Sequence, residues 1–334
     1  MNPRYGPDEK GLICGYLFAP GQPGQPIGPD QALVWLTGSD QASRGEFVWL
    51  HFSLADAAAE PWLRENLDLR DEFFEALHQG SRSTRLEDVQ DQLLAVINDV
   101  AYEFSFDPSQ IATLWLNVDR RLLVSARLHP LRSIDRLRQA VRQGEQFASP
   151  VALLTHLLND QADVLARIVR DAAVKVDDIE DGLLHDRVRH TRRELGQLRR
   201  VLVRLQRLLA PEPAALFRLL RQPPRWIAQD DLEELRQSTE EFSLVIRDAA
   251  ALQERIKLLQ EEMAALVDER TSQTLFTLTM VTVLALPINI TTGFFGMNVG
   301  GMPLSDSPHG FAITVTVVTV CTLIAAWIAF RRKD

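Results

Sequence analysis

The hydrophobic and polar positions divide this chain into a long polar body and an apolar C-terminal end. One uncharged run extends from about residue 275 to residue 298, and a second extends from residue 310 to residue 330. A helix needs about 20 apolar residues to cross the hydrocarbon core of a bilayer, and each run is long enough. The pattern therefore predicts a transmembrane hairpin, with the polar remainder outside the lipid.

The first 150 residues contain both strand-like and helix-like patterns of apolar residues. Short runs rich in β-branched, aromatic and aliphatic residues, bounded by Gly, Pro or charge, predict strands. These runs cover residues 12–18, 32–36, 47–52, 93–100, 113–118 and 122–126. Apolar residues at helical spacing predict helices over 71–79 and 131–142. Residues 1–150 are therefore expected to form an α/β domain.

After Pro150 the pattern becomes almost wholly helical. Residues 151–209 contain no proline, and Pro211 and Pro213 are expected to break the helix that they form. A stretch that begins at Asp230 then contains no proline or glycine until Pro287. As one helix of about 65 residues it would measure close to 100 Å. That length predicts a stalk that continues into the membrane.

These patterns divide the chain into seven segments. They are an α/β domain (1–150), a helical segment (151–228), a stalk helix (229–274), a first span (275–298), an outer loop (299–309), a second span (310–330) and a basic tail (331–334).

Charge sets the expected orientation and partners. Three cationic residues, Arg331, Arg332 and Lys333, follow the second span directly, whereas the loop 299–309 has no Lys or Arg. Cationic loops stay in the cytoplasm, and the N-terminus lacks the apolar core of a signal peptide, so both termini are expected to be cytoplasmic. The net charge of -9 argues against nucleic acid as a partner. An acidic body would instead raise the local concentration of cations.

Charge is also uneven along the helical part. Residues 187–225 are dominated by Arg, and residues 230–269 are dominated by Asp and Glu. One interpretation is two packed antiparallel helices of opposite charge with solvated outer faces. The other is an acidic inner surface that collects or senses divalent cations.

The first span carries polar side chains that could line a path for ions. Polar residues in a membrane helix tend to face the bundle interior or a wet cavity. Counting inward from Asn298 by helical turns places one set of residues on roughly one face. The set comprises Asn289, Leu286, Thr282, Leu278, Leu275 and Ser272. Asn289 and Thr282 would line the pore, and the leucines would form apolar constrictions that gate by dewetting. The alternative for the threonines is a local hydrogen bond to a helix carbonyl.

The tripeptide Gly296-Met297-Asn298 stands where the first span should end. Gly293 and Gly296 are expected to allow the backbone to leave helical geometry and free carbonyls for an ion, and the Asn298 amide adds neutral oxygen ligands. Such ligands suit a cation that keeps its water shell. The alternative is a helix C-cap, for which Gly and Asn are both favoured. Because two helices cannot enclose a wet path, a pore here requires several symmetric copies of the chain.

Zinc normally binds nitrogen and sulfur ligands, and few His or Cys residues of this sequence have the spacing of a zinc site. Cys14 and Cys321 are far apart and form no Cys-x-x-Cys motif, which argues against a thiolate site. His309 follows Asp306 in the outer loop and is a candidate to meet an incoming zinc ion. The alternative for His309 is a solvated loop residue.

The Gly-Met-Asn motif at the outer end of the first of two C-terminal spans resembles the CorA family of divalent-cation transporters. The continuation through Val299-Gly300-Gly301-Met302-Pro303-Leu304 is most similar to its ZntB branch. Segments 82–87 and 122–127 carry a weaker resemblance. Many magnesium channels of the family have Glu after Met-Pro, and Leu304 takes that place here. This departure favours the ZntB branch over simple magnesium conduction.

The resemblance implies an α+β architecture: a cytoplasmic α/β/α domain, a long stalk and two spans in a homopentameric funnel. It implies a bacterial inner-membrane location and a pore entrance at Gly296, Met297 and Asn298. It implies no bound cofactor. The transported ion would be Zn²⁺, coupled to protons and moving inward, with Mg²⁺, Co²⁺, Ni²⁺ and Cd²⁺ as further candidates. The expected partners are the bilayer, other copies of the chain, divalent cations and protons.

Two other functions compete with zinc transport. One is a Mg²⁺/Co²⁺ channel gated by cytoplasmic Mg²⁺, and the other is a sensor or scaffold that the hairpin merely anchors. An anchor needs neither a polar-studded span nor a Gly-Met-Asn terminus. The sequence has no Gly-rich phosphate loop, nucleophile motif or catalytic carboxylate pair, so an enzyme is not expected.

Overall fold

The computed structural model describes residues 8, 10–38, 45–79, 84–102, 105, 110–184, 188–297 and 308–331. The chain divides into two compact units, Met1–Leu259 and Gln260–Asp334. The first unit contains a mixed sheet covered by helices, and the second contains two apolar helical segments.

Seven strands form one sheet in the first unit. The strands are β1 (Leu12–Phe18), β2 (Gln25–Pro26), β3 (Phe47–Ser53), β4 (Arg85–Val89), β5 (Gln92–Val100), β6 (Ile111–Val118) and β7 (Leu122–Arg127). Their order in the sheet is β2-β1-β3-β7-β6-β5-β4. The β3 and β7 strands pair in parallel, and the other neighbours pair antiparallel.

Helices make up most of the remaining chain. They are α1 (Pro29–Thr37), α2 (Ala59–Asn66), α3 (Asp71–Gln79), α4 (Arg132–Arg142), α5 (Pro150–Leu184), α6 (Val188–Leu209), α7 (Pro211–Arg221), α8 (Gln229–Phe295) and α9 (Gly310–Arg331).

The sheet is buried on both faces, which explains its continuous apolar strands. Along β3 the side chains alternate between two hydrophobic clusters. Trp49 joins the cluster that contains Leu154 of α5, and Leu50 joins the cluster that contains Leu63 of α2. Helices α4, α5 and α7 cover one face, and α1, α2 and α3 cover the other. This arrangement confirms the expected α/β/α domain.

The strand predicted over residues 32–36 is wrong, because these residues lie in α1. Pro29 occupies the first turn, where its missing N–H costs nothing, and the Gln31 side chain accepts the Gly28 N–H at 3.2 Å. Ala32 and Trp35 are buried three residues apart, whereas Val34 is 74% exposed. That spacing is helical, and the five-residue apolar run was too short to distinguish helix from strand.

The helical half follows the expected pattern. Helix α6 ends at Leu209, which confirms the expected break before Pro211 and Pro213, and Pro211 is the first residue of α7. Helix α8 is continuous over 67 residues and passes through Pro287. The predicted single long helix is therefore confirmed, and at 1.5 Å per residue it measures about 100 Å.

A heptad spacing of buried residues organises α6 and the N-terminal part of α8. The buried leucines of α6 repeat every three or four residues, at Leu195, Leu198, Leu202, Leu205 and Leu209. On α8 the buried residues Leu235, Phe242, Ala249, Leu252, Ile256 and Leu259 follow the same repeat. An ion pair joins Arg255 of α8 to Asp177 of α5 at 2.7 Å, and a second joins Arg255 to Glu180.

A buried polar cluster connects the sheet to α5 and α7. The Gln161 amide donates to the Asn98 carbonyl at 2.6 Å and to the Glu212 carboxyl at 3.2 Å. Burial raises the pKa of Glu212 to about 8, and the Gln161 hydrogen bond offsets only part of that increase. Burial also raises the pKa of Asp99 to about 6. At neutral pH Glu212 is therefore mostly protonated.

Glu212 should make stability depend on pH. Because its pKa in the folded chain lies above the ordinary value of 4.5, the folded state keeps a proton that the unfolded chain has already lost. Stability should therefore fall as pH rises from about 4.5 to about 8. We expect Glu212→Gln to raise the thermal midpoint of the full-length protein in detergent more at pH 8.5 than at pH 5.

The control for this prediction is Glu65→Gln, which changes an exposed carboxyl on α2. Its effect on the thermal midpoint should be similar at both pH values. An equal effect of Glu212→Gln at both pH values would show that folding does not change the pKa of Glu212.

Candidate ion pathway in the first membrane span

Two segments of the second unit are apolar and long enough to cross a membrane: the C-terminal part of α8 and most of α9. Most of their side chains are exposed in the single chain, including the large residues Phe311 and Trp327. Large apolar residues exposed over whole helices indicate contact with lipid or with other chains. The expected pair of apolar C-terminal helices, each long enough to span a bilayer, is therefore present.

One stripe along the α8 span is covered within the single chain. Met280 is only 8% exposed, and Leu284, Pro287 and Thr291 are half-buried. Their spacing of four, three and four residues places them on one face of the helix. A similar stripe on α9 comprises the buried Gly310 and the half-buried Thr314, Val318 and Thr322. Each span thus has one covered face.

The residues predicted to line a pore lie opposite the covered stripe of α8. A helix turns by about 100° per residue, so these five positions lie about half a turn from Met280. All five are exposed, and they are Leu275, Leu278, Thr282, Leu286 and Asn289. We call this set the open face. The structure brings the five residues together on the helix, and their role in a pore remains a prediction.

Asn289 is the strongest polar feature of the open face. Its amide is exposed and makes no hydrogen bond to any residue that the structure describes. Placing an unbonded amide in hydrocarbon costs several kcal/mol, on the order of 2–7 by transfer measurements. Leu286 lies about one turn further in. The Asn289 side chain is therefore expected to face water or polar groups of other chains.

The threonines are less informative than the sequence suggested. The Thr282 hydroxyl donates to the Leu278 carbonyl at 2.9 Å, which is the local bond named as the alternative to a pore role. The threonines of α9 form the same bond, as Thr316 does with the Ala312 carbonyl at 2.8 Å. A bonded hydroxyl keeps its oxygen lone pairs, so Thr282 can still accept from water. Threonine alone does not distinguish the two spans.

Pro287 lies inside α8 and changes the main-chain hydrogen bonding of the first span. Proline has no N–H, so the Val283 carbonyl loses its usual main-chain partner one turn earlier. The Thr291 hydroxyl donates to the Pro287 carbonyl at 2.7 Å. Proline in a membrane helix is the signal that could have identified this carbonyl, because freed backbone groups there must bond to water or to neighbouring residues.

Helix α8 ends at Phe295, and Gly296 is required for the turn that follows. The Gly296 N–H bonds to the Thr292 carbonyl at 2.9 Å, and the Met297 N–H bonds to the Phe294 carbonyl at 3.4 Å. A Cβ added at Gly296 would lie 2.9 Å from the Thr292 oxygen, which is closer than side chains normally approach. Gly293, by contrast, stays helical. The expected departure from helical geometry is therefore wrong for Gly293, and the helix ends just before Gly296.

The remaining predicted entrance residues are only partly described. Asn298, Leu304 and Asp306 lie outside the described residues. Because the helix ends before Asn298, helical counting does not extend to it. His309 is exposed immediately before α9, and its carbonyl accepts the Ile313 N–H at 3.0 Å. No group of three or more His, Cys, Asp or Glu suited to a metal ion occurs among the described residues.

Sequence comparison assigns the family. A family model described as "CorA-like Mg2+ transporter protein" matches residues 44–332 of the chain. The chain belongs to this family. Divalent cation transport in membranes is what CorA-like proteins share, and the two C-terminal apolar helices fit a membrane location.

Individual relatives in the CorA-like family carry two different names. The divalent cation transporter CmaX of Pseudomonas aeruginosa is 29% identical over 329 residues, which are 97% of each chain. The zinc transport protein ZntB of Pectobacterium carotovorum is 24% identical over 285 residues, which are 85% of this chain and 87% of the relative. The resemblance to the CorA family, and to ZntB within it, is thus confirmed, with CmaX as an additional relative.

Solved structures of CorA-like proteins agree with the fold. The structure of full-length CmaX superposes with a TM-score of 0.81 at 27% identity and covers 97% of this chain and 98% of its own. The CorA magnesium transporter of Methanocaldococcus jannaschii gives a TM-score of 0.73 at 20% identity and covers 96% and 98%. At this level of identity, the superposition on the Methanocaldococcus jannaschii structure supports the fold alone.

The geometry at the end of α8 predicts different effects for its two glycines. Gly296→Ala should reduce divalent cation flux into proteoliposomes by about tenfold or more, because the added methyl collides with the Thr292 carbonyl and displaces the chain that follows. Gly293→Ala is the matched control. An added Cβ there meets no described atom outside its own helix, so flux should stay near the wild-type value. Equal flux through both variants would contradict the assigned role of Gly296.

Proposed function

We propose that the chain carries divalent cations across the inner membrane, with Zn²⁺ as the main substrate, through a pore lined by the open faces of several α8 helices. The observation that supports this most strongly is the position of the open face. It combines an amide with apolar residues, it lies opposite the covered stripe, and it is exposed in the single chain. Such a face suits the inside of a symmetric bundle better than lipid.

The chemistry of the open face suits a hydrated cation. A ring of Asn289 amides offers neutral oxygens that can replace part of the outer hydration. Rings of Leu286, Leu278 and Leu275 follow over about 16 Å of helix, since 11 residues separate the first from the last. Narrow apolar rings exclude water when they close and admit it when they open. The leucines would therefore gate the path.

A second apolar stripe on α8 supports assembly from several copies. Leu244 and Leu258 are exposed, and the exposed Ala251 lies seven residues from each. Apolar residues that repeat every seven positions pack against another helix, and the buried heptad face of the same helix is already covered. The proposed occupant of this stripe is α8 of the next copy. Five copies are the number that the family resemblance implies.

The preference for zinc rests on the relatives and the outer loop, and proton coupling is what the resemblance to the ZntB branch implies. Relatives named as zinc transport proteins match most of the chain. Leu304 stands where many magnesium channels of the family have Glu. No described group of side chains forms a zinc cage, so the ion would pass with its water shell largely intact.

A Mg²⁺/Co²⁺ channel gated by cytoplasmic Mg²⁺ is the second candidate. It is favoured by the neutral oxygen ligands of the open face, because Mg²⁺ prefers oxygen and gives up its water reluctantly. It predicts that charge removal on the acidic stalk shifts activity strongly. Two acids of α5, Asp177 and Glu180, are already bound by Arg255 of α8.

Ion flux into proteoliposomes of purified protein distinguishes these functions. We expect Zn²⁺ flux to increase with an inward proton gradient and to change little when internal Mg²⁺ is raised. Asn289→Leu should reduce Zn²⁺ flux by about tenfold, because it removes the polar ring and narrows the path with an apolar side chain.

Two controls accompany this flux measurement. Thr319→Val removes a bonded hydroxyl from α9 and should leave flux unchanged. Asn289→Gln keeps the amide and should retain most of the activity. Zn²⁺ flux that does not depend on the proton gradient and is stopped by internal Mg²⁺ would favour the Mg²⁺-gated channel. A wild-type rate of flux through Asn289→Leu would exclude the open face as the pore lining.

A further inference from the structure

A cleft rich in arginine lies beside α4 in the first unit. Its volume is about 690 Å³. The side chains that matter in its lining are Arg132, Arg136, Arg138, Arg142, Asp135 and Tyr102. This volume lies within the range of about 300–1,000 Å³ that small-molecule sites occupy.

The cleft carries excess positive charge. Asp135 is the one acid among the described lining residues, and the Arg138 guanidinium already donates to it at 2.7 Å. Arg136 approaches Asp160, outside the lining, at 3.7 Å. Arg132 forms no ion pair with a described residue, and Arg142 reaches only the Tyr16 hydroxyl at 3.4 Å. The chain as a whole has a net charge of -9, so this concentration of arginine is local.

The arginines are mounted on a rigid scaffold. Ile134, Leu137 and Val141 anchor the opposite side of α4 in the main hydrophobic cluster. The Asp99 carboxylate accepts the Ser133 N–H at 2.9 Å and fixes the start of the helix. Arg138 is only 3% exposed. A pre-positioned set of charges loses little conformational freedom on binding, which favours a specific ligand over diffuse attraction.

The lining of the cleft also includes an aromatic side chain, Tyr102. Tyr102 is 49% exposed, and its N–H bonds to the Pro130 carbonyl at 3.1 Å. Arg132 and Arg142 are ten residues apart on one helix, about 15 Å. The positive charge is therefore extended along the cleft, with an available ring beside it.

We propose that this cleft binds a polyphosphate anion from the cytoplasm, either a nucleoside triphosphate or inorganic triphosphate. Guanidinium groups match phosphate oxygens with paired hydrogen bonds, and an extended row of them suits a chain of phosphates better than a single anion. Tyr102 would stack on a base where the ligand is a nucleotide. This site is independent of the metal substrate and of the proposed pore.

The test is calorimetric titration of the full-length protein in detergent, without divalent cations, with ATP, inorganic triphosphate and adenosine. ATP or triphosphate should bind with a Kd below about 1 mM, and adenosine should not. The double variant Arg132→Gln/Arg142→Gln should weaken binding by about tenfold or more. Arg192→Gln/Arg200→Gln removes two exposed arginines from α6 and should leave affinity unchanged.

A third variant identifies which polyphosphate the cleft prefers. If a nucleotide is the ligand, Tyr102→Leu should weaken the binding of ATP but not the binding of triphosphate. If the phosphate chain alone is recognised, Tyr102→Leu should leave the affinity for both compounds unchanged. Both outcomes support the site. Absence of binding at about 1 mM, or an equal loss in both arginine double variants, would overturn it. So would a change in oligomer mass of Arg132→Gln/Arg142→Gln without a change in affinity, because the cleft would then contact an acidic surface of another copy.

Discussion

An amide within a hydrocarbon layer must meet water or another polar group, and this constraint determines how the membrane part of α8 can be used. Asn289 is exposed half a turn away from the face that the single chain covers. A monomer in lipid would leave this amide in contact with acyl chains. In the proposed pore, repeating the helix around an axis would remove this conflict, because every Asn289 would face the same wet interior. The same arrangement places the leucines of the open face in rings.

The N-terminal part of α8 is subject to a different constraint, which is the packing of a long helix against its neighbours. Its buried residues follow a heptad repeat, and Arg255 joins it to two acids of α5. The ion pairs are half-exposed, so they contribute little to stability compared with the buried apolar stripe. Charge on this helix therefore has a small role in holding the fold and remains available to attract cations.

Elements with a strong period were predictable from the sequence. Strands β1, β3, β5 and β7 are apolar along their length because both sheet faces are covered, and the open face of α8 follows directly from helical spacing. Strand β4 was not predicted, because it is a polar edge strand in which only Leu86 is buried. Helix α2 was also missed, because its eight residues are too few to establish a period.

Sites formed by residues that are far apart in the chain could not be predicted from the sequence. The Glu212 cluster brings together β5, α5 and α7, and only the fold shows that Gln161 lies between Asn98 and Glu212. The arginine cleft likewise needs Tyr102 beside α4. The Gly-Met-Asn motif differs from these sites, because it is recognisable in the sequence alone. Its Asn298 lies outside the residues that the structure describes.

The most direct test of the pore face is a cysteine scan of residues 275–291. The background is Cys14→Ala/Cys321→Ser, and each variant is treated with a charged, water-soluble thiol reagent during ion flux. Inhibition should be strong at 275, 278, 282, 286 and 289 and weak at 280, 284, 287 and 291, because only the first set would face water. Inhibition with the opposite pattern, or equal inhibition at all positions, would contradict the assignment of the open face to the pore.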